Sequence, residues 1–263
     1  MTSAEQWRDE LAAWAIPEDI LAQAPEPPWG FPVELFRAEQ QPTGSPSRDR
    51  ALDALPDGGS VLDVGCGGGG ASMALTPPAG HVVGVDSSKA MLAAYAEAAA
   101  ERGVSHRELL GAWPDVAAEA PNADVVVCHH VLYNVADLAP FVPALAAHAH
   151  RRVVVELTSR HPLVDSAPLW RHFHDLDRPA GPTADLAVRC LRELGIAVEV
   201  ERWSRPPRDV PREVYVRLNR RRLCLPESAE PEVDRVMGDA PDAWREVVTL
   251  WWDVGQAADA GAG

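Results

Sequence analysis

The stretch "VLDVGCGGGGAS", Val61 to Ser72, decides the fold. A short apolar run enters a glycine-rich turn, and small residues follow. Glycine suits such a turn because the backbone can then approach a ligand with no Cβ in the way. Gly65-x-Gly67-x-x-Gly70 has the spacing of a dinucleotide-binding turn. A second apolar run ends at Asp86, 21 residues after Gly65, where an acid meets ribose hydroxyls. The glycines alone therefore leave the ligand open.

Outward from this stretch, short apolar runs recur at Val61–Val64, Val82–Val85, Val125–Cys128 and Val153–Leu157. Buried parallel strands have this pattern. Helical stretches lie between them: Ser87 to Arg102, capped by Ser87 and stopped at Gly103, then Asp137 to His150, then Thr183 to Leu194. The alternation predicts an α/β doubly wound Rossmann-like sheet with its ligand at the carboxyl ends of the strands. "IAVEVERW" (Ile196 to Trp203) and "EVYVRLN" (Glu213 to Asn219) read as paired edge strands, which makes the sheet mostly parallel with an antiparallel edge. Before the sheet, a helix opens on a Ser3–Gln6 capping box and carries Trp7, Leu11 and Trp14 on one face. A shorter helix is expected over Val33–Glu39. After the sheet, Trp244, Val247, Val248 and Trp251 share a helical face, so a C-terminal helix is expected before a frayed tail. The domain reading is an N-terminal helical cap over 1–50, a core over 51–220 and a C-terminal helical extension over 221–263.

The chain has 263 residues, a formal net charge of −15 and 46% hydrophobic residues. That surface repels phosphate backbones and argues against nucleic acid as a partner. Four scattered cysteines, Cys66, Cys128, Cys190 and Cys224, suggest reduced thiols in a cytoplasmic protein, with no zinc spacing and no metal expected. No apolar run approaches the ~20 residues of a membrane span. The arginine-rich, lysine-poor composition hints at a bacterial source of high GC content. The partner is read as a small-molecule substrate, with a monomer or homodimer as the assembly.

Asp63 separates the candidate ligands. It stands two residues before Gly65, where an anionic pyrophosphate gains nothing from a carboxylate. S-adenosyl-L-methionine carries an ammonium, a carboxylate and a sulfonium. The acid favours the ammonium, directly or through water, and the backbone N–H groups of the turn take the carboxylate. With "VLDVGCGGGG", "VVGVDSSKAML" and "ADVVVCHHVLYNVADL" in view, the chain resembles the class I S-adenosylmethionine-dependent methyltransferases of small-molecule type, over about Ala51 to Asn219. The resemblance implies S-adenosyl-L-methionine as cofactor, with S-adenosyl-L-homocysteine as its product. It implies cofactor contacts from Asp63, Gly65, Cys66, Gly67, Gly69, Asp86, Ser87, Met91, Ala112, Trp113 and His129. The segment departs from the family after the third strand. Ala112 and Trp113 stand where members often place an acid for the adenine amino group, so adenine would rest on backbone contacts and packing against Trp113.

The sulfonium already activates the methyl group, so the protein must align an acceptor and exclude water. A base is needed only where the acceptor must lose a proton first. His130 and Tyr133, after the fourth strand, are the catalytic candidates; Glu156 is a candidate pocket carboxylate. The Asn/Asp-Pro-Pro-Tyr motif for planar amino groups is absent, which disfavours an exocyclic base nitrogen as acceptor. Ser159 to Thr183, with His161, Trp170, His172, Phe173 and His174, is longer than an ordinary connection and is expected to fold over the site. Trp7, Trp14 and Trp29 could form a lid or simply bury. Three other readings stand beside the small-molecule enzyme: methylation of RNA or protein, a non-catalytic partner subunit of the same fold, and an NAD(P)-dependent reductase. Asp63 and the lack of a Tyr-x-x-x-Lys pair argue against the last.

Overall fold

The computed structural model describes residues 1–29, 44–207, 210–238 and 244–255. Seven strands form one sheet: β1 (Ser60–Val64), β2 (His81–Asp86), β3 (Ser105–Leu110), β4 (Ala123–His129), β5 (Ala149–Thr158), β6 (Glu199–Arg205) and β7 (Arg245–Asp253). Their order is β3-β2-β1-β4-β5-β7-β6. β1 to β5 pair in parallel, and β7 runs antiparallel between β5 and β6. The strand order reverses between β1 and β4, which opens a crevice at their carboxyl ends.

The described helices are α1 (Ser3–Ala12), α2 (Glu18–Leu21), α3 (Pro46–Leu52), α4 (Gly70–Met73), α5 (Lys89–Glu101), α6 (Leu138–Ala147), α7 (Ala167–His174), α8 (Ala184–Glu193), α9 (Arg212–Arg222) and α10 (Glu230–Met237). Alternate strand residues feed two cores, as a period of two requires. Leu62, Val64, Val126 and Val155 pack with Trp7, Phe141, Leu145, Leu186 and Leu191 on one face. Val61, Val82, Val127 and Val154 pack with Ala51, Leu92, Tyr95 and Ala99 on the other. Each fully buried Leu or Phe in these layers contributes about 1.5–3 kcal/mol. A third cluster joins Ile16 to Leu169 and Trp170 of α7, Val216 of α9, and Val233 and Met237 of α10. It is built from the segment after β5 and the segment between β6 and β7, so it stands at the ligand edge.

The carboxyl-terminal segment differs from expectation. Residues 245–253 are strand β7, not a helix. The spacing of Val247, Val248 and Trp251 fits a helical face, but Val247 through Leu250 are all buried, as in a strand covered on both sides. The run Val247-Val248-Thr249 is β-branched and favours that state. Conversely, Glu213 to Asn219 lies in helix α9 and pairs with no strand. Val216 and Leu223, seven residues apart, share its buried face, and three arginines complement its C-terminal dipole. β6 pairs with β7 instead.

Two caps shift by one residue. Thr2 and Glu5 form the capping box of α1, which frees Ser3 to donate to Glu193 Oε1 at the end of α8 (2.6 Å). Ser88, not Ser87, caps α5 by accepting from the Met91 N–H. Asp137 caps α6, which stops at Ala147 because β5 begins at Ala149. The helix expected over Val33–Glu39 and the tail beyond Gly255 lie outside the described residues.

Candidate active site

The glycine turn links β1 to α4. Gly65, Gly67 and Gly69 have φ of 71°, 51° and 88°, a region that disfavours residues with a Cβ. A Cβ on Gly65 would stand 2.3 Å from Val131 Cγ2. Asp63, at the end of β1, is 1% exposed. Its Oδ2 accepts hydrogen bonds from Ser72 Oγ (2.7 Å) and Ser72 N (3.2 Å), which anchors α4 to the strand. Burial pushes the Asp63 carboxyl up to about 6, against the opposing pull of the Ser72 bonds and nearby His129. Asp86 holds the same turn from β2: its Oδ2 accepts from Gly67 N (3.0 Å) and its Oδ1 from Ser88 N (2.8 Å). Each oxygen keeps a lone pair for a further donor.

The other expected cofactor residues line the rim at differing depths. Cys66 and Met91 are buried, and burial raises the Cys66 thiol well above its ordinary range. Ser87 and Ala112 are exposed. Trp113 stands edge-on to His148 with ring centroids 4.9 Å apart, and its Nε1 has no partner among the described residues. His129 ends β4, and its Nε2 is buried without a partner. The structure thus brings Asp63, the glycine turn, Asp86 and His129 to one edge of the sheet, whereas the Trp113 ring packs on His148, at the amino end of β5, and leaves that edge. The spare acceptors on Asp86 and the unpartnered nitrogen of His129 fit a polar ligand.

His130, the next residue, has φ of 59°. Its backbone N–H donates to the Glu156 carbonyl (2.6 Å), and its Nε2 lies 2.9 Å from Glu156 Oε1. Glu156 is 5% exposed. Burial works to raise its pKa, but His129, the His130 bond and Ser47 prevail and hold it well below the carboxylate range. An ionised carboxylate only accepts, so Nε2–H donates to Glu156. Behind Glu156, Ser47 Oγ and Thr249 Oγ1 are 2.7 Å apart, and Trp203 Nε1 donates to Thr249 Oγ1 (3.1 Å). With Ser47 donating to Glu156, the chain has one direction: Trp203 to Thr249 to Ser47 to the carboxylate. Sequence reasoning missed Ser47, Trp203, Thr249 and Arg205, because only strand pairing and the packing of α3 on the sheet bring them here.

Tyr133 lies elsewhere. It is 6% exposed, its hydroxyl donates to the Thr158 carbonyl (2.7 Å), and its ring stacks on Trp7 at 5.5 Å. It fills the core and does not face the crevice. Trp7 is likewise in the core and donates to the Val135 carbonyl. Trp14 is nearer the edge, stacked on His161 at 4.3 Å, while Trp29 is exposed. His172 pairs with Glu232 (2.9 Å), and His174 Nε2 donates to the Leu223 carbonyl (2.8 Å), so both side chains tie α7 to its neighbours.

Residues 62–154 match the family model of a methyltransferase domain. That stretch runs from β1 through β5 and contains Asp63, the glycine turn, Asp86 and His129. Over that stretch the chain is similar to methyltransferase domains, and the sheet has their Rossmann-like fold. The chain is similar in sequence to two ubiquinone biosynthesis O-methyltransferases. The protein of Hahella chejuensis is 42% identical over 94 residues, 35% of this chain and 39% of that protein. The protein of Leptothrix cholodnii is 40% identical over 92 residues, 34% of this chain and 38% of that protein. The match spans less than half the length of either relative. The YcgJ protein of Bacillus subtilis shares the fold at a TM-score of 0.53 and 16% identity, over 80% of this chain and 98% of that one. A Bacillus halodurans protein does so at 0.51 and 16%, over 80% and 99%. No helix among the described residues is long and apolar enough to cross a membrane.

Proposed function

We propose that the chain is a methyltransferase that moves the methyl group of S-adenosylmethionine to an oxygen atom of a small-molecule acceptor. The observation that carries the choice of oxygen is the buried Glu156–His130 pair at the mouth of the crevice. An acceptor hydroxyl must lose its proton as the new bond forms, and a neutral imidazole held in one tautomer by a carboxylate is suited to take it. The relatives matched by the domain are O-methyltransferases by name, which agrees with this chemistry.

When bound, the cofactor supplies an electrophilic methyl group on its sulfonium. The chain's own residues do the rest. The N–H groups of the turn and of α4 would take the amino-acid carboxylate, and Asp63 would favour its ammonium. Asp86 would accept from the ribose hydroxyls, and His129 would stand at the methionine end. His130 receives the acceptor's proton, and Glu156 stabilises the imidazolium that results. The cluster of α7, α9 and α10 caps the acceptor and keeps water out. The net charge of −15 supports a small acceptor over RNA.

Calorimetric titration with S-adenosylhomocysteine tests the reading. The wild type is expected to bind at micromolar Kd, and Gly67→Arg and Asp86→Ala to bind at least tenfold more weakly. Equal affinity in both variants would remove it.

A further inference from the structure

Three arginines meet at the ligand edge beside His130. Arg205 ends β6 and stands directly opposite Arg245, the first residue of β7. Like charges paired across strands destabilise a sheet unless something offsets them. Arg222, at the end of α9, lies close enough to Arg245 for each to feel the other's charge. Its guanidinium is pressed to about 10 by burial, Arg245 and Arg221, so it remains charged at neutral pH.

Arg205 is 5% exposed, and its Nε makes no hydrogen bond among the described residues. Its NH1 lies 3.2 Å from His130 Nε2. That nitrogen has no lone pair to offer once it donates to Glu156, so this approach does not satisfy the guanidinium. Among the described residues, Glu156 is engaged with His130, and Asp165 with Arg245 at 3.5 Å. Of the three arginines, Arg222 also lines a cavity, together with Trp14, Trp29, Trp170 and Arg178. Arg178 is committed to its walls, stacked over Trp14 and Trp170 and donating to the Trp14 carbonyl. In a chain of net charge −15, a buried guanidinium with an unused donor and two further arginines near it suits negative charge.

We propose that Arg205, Arg222 and Arg245 bind an oxyanion, a carboxylate or a phosphate, carried by the methyl acceptor. The acceptor is then an anionic small molecule with a planar part that packs among the tryptophans. This inference rests on the methyltransferase reading and names the substrate class for it.

The test is thermal unfolding of the full chain saturated with S-adenosylhomocysteine, titrated at constant ionic strength with benzoate, inorganic phosphate or neutral benzamide. One of the two anions is expected to raise Tm by a few degrees along a saturating curve, while benzamide does not. Arg205→Gln and Arg222→Gln should each move half-saturation at least tenfold higher. Arg222 is only partly buried, so its replacement reports on binding even if Arg205→Gln fails to fold. A stronger response to phosphate assigns a phosphorylated acceptor, and a stronger response to benzoate a carboxylated one. No saturable response to either anion, or equal responses in wild type and variants, overturns the inference. Calorimetry on the same samples separates the two readings. Lost S-adenosylhomocysteine binding in the wild type removes the methyltransferase, whereas intact binding with an anion-blind cavity removes only the oxyanion site.

Discussion

Asp63 Oδ2 accepts a hydrogen bond from Ser72 Oγ at 2.7 Å, so one carboxylate spans the glycine turn and pins α4 to β1. Burial raises this acid from 3.8 to about 6. The folded protein therefore holds a proton that the unfolded chain has released, and stability is greatest below pH 4 and lost as pH rises through about 6. A shift of some 2 pH units corresponds to about 3 kcal/mol. In urea titrations Asp63→Asn should lack this decline between pH 4 and 6.5. A cationic amine bound beside Asp63 would pull its pKa down, so S-adenosylhomocysteine affinity should weaken below pH 6 in the wild type. Parallel stability curves for wild type and variant would show that Asp63 does not titrate in this window.

Gly65 and Val131 are packed too closely for a side chain between them. A Cβ at 2.3 Å from Val131 Cγ2, on a backbone with φ of 71°, clashes and is strained as well. Gly65→Ala should cost about 2–4 kcal/mol. Val131→Ala in that background should recover part of it, because the removed methyl is the one struck. The two single and one double variant form a thermodynamic cycle by urea unfolding. Strict additivity would mean that the backbone conformation, and not the clash, sets the cost.

The parallel half of the sheet was legible because buried strands read as unbroken apolar runs between helices, and the glycine turn marked which strand comes first. Asp63 and Asp86 followed from their distance to that turn. β7 was not legible: Trp244, Val247, Val248 and Trp251 satisfy helical spacing, and only the tertiary setting between β5 and β6 turns them into a strand. The same error hid the site's basic side, since Arg205 meets His130 across 75 residues of sequence and Ser47 meets Thr249 across 202. Tyr133 sat in the right loop, but helix α1 delivers Trp7 onto its ring and draws it into the core.

Glu156→Gln tests the His130 pair. The amide keeps the shape of the carboxylate but loses its charge, so the ring tautomer and the imidazolium are no longer favoured. We expect kcat to fall about 10–100-fold. The S-adenosylhomocysteine Kd should stay unchanged if, as proposed, Glu156 serves the acceptor and not the cofactor. Ser47→Ala should lower kcat less, since it removes one of several groups that hold Glu156 ionised. Glu156→Gln with wild-type kcat and pH profile would reduce the residue to a packing role.

His161 links the cap to acidity. It is 6% exposed and stacked on Trp14. Burial, with help from the charges of Arg178 and Arg222, lowers it from 6.5 to about 4. The unfolded chain then binds a proton that the folded one refuses, so stability should drop as pH falls from 6.5 toward 4, by up to about 3 kcal/mol. The opposite slope expected from Asp63 overlaps this window, so the two effects are separated by variants and not by the wild-type curve alone. His161→Phe keeps the ring against Trp14 and removes the titration. Its stability should hold level where the wild type's declines, and its tryptophan emission should lack any shift centred between pH 4 and 6. Emission that shifts alike in both proteins would place the acid-sensitive group elsewhere in the cap.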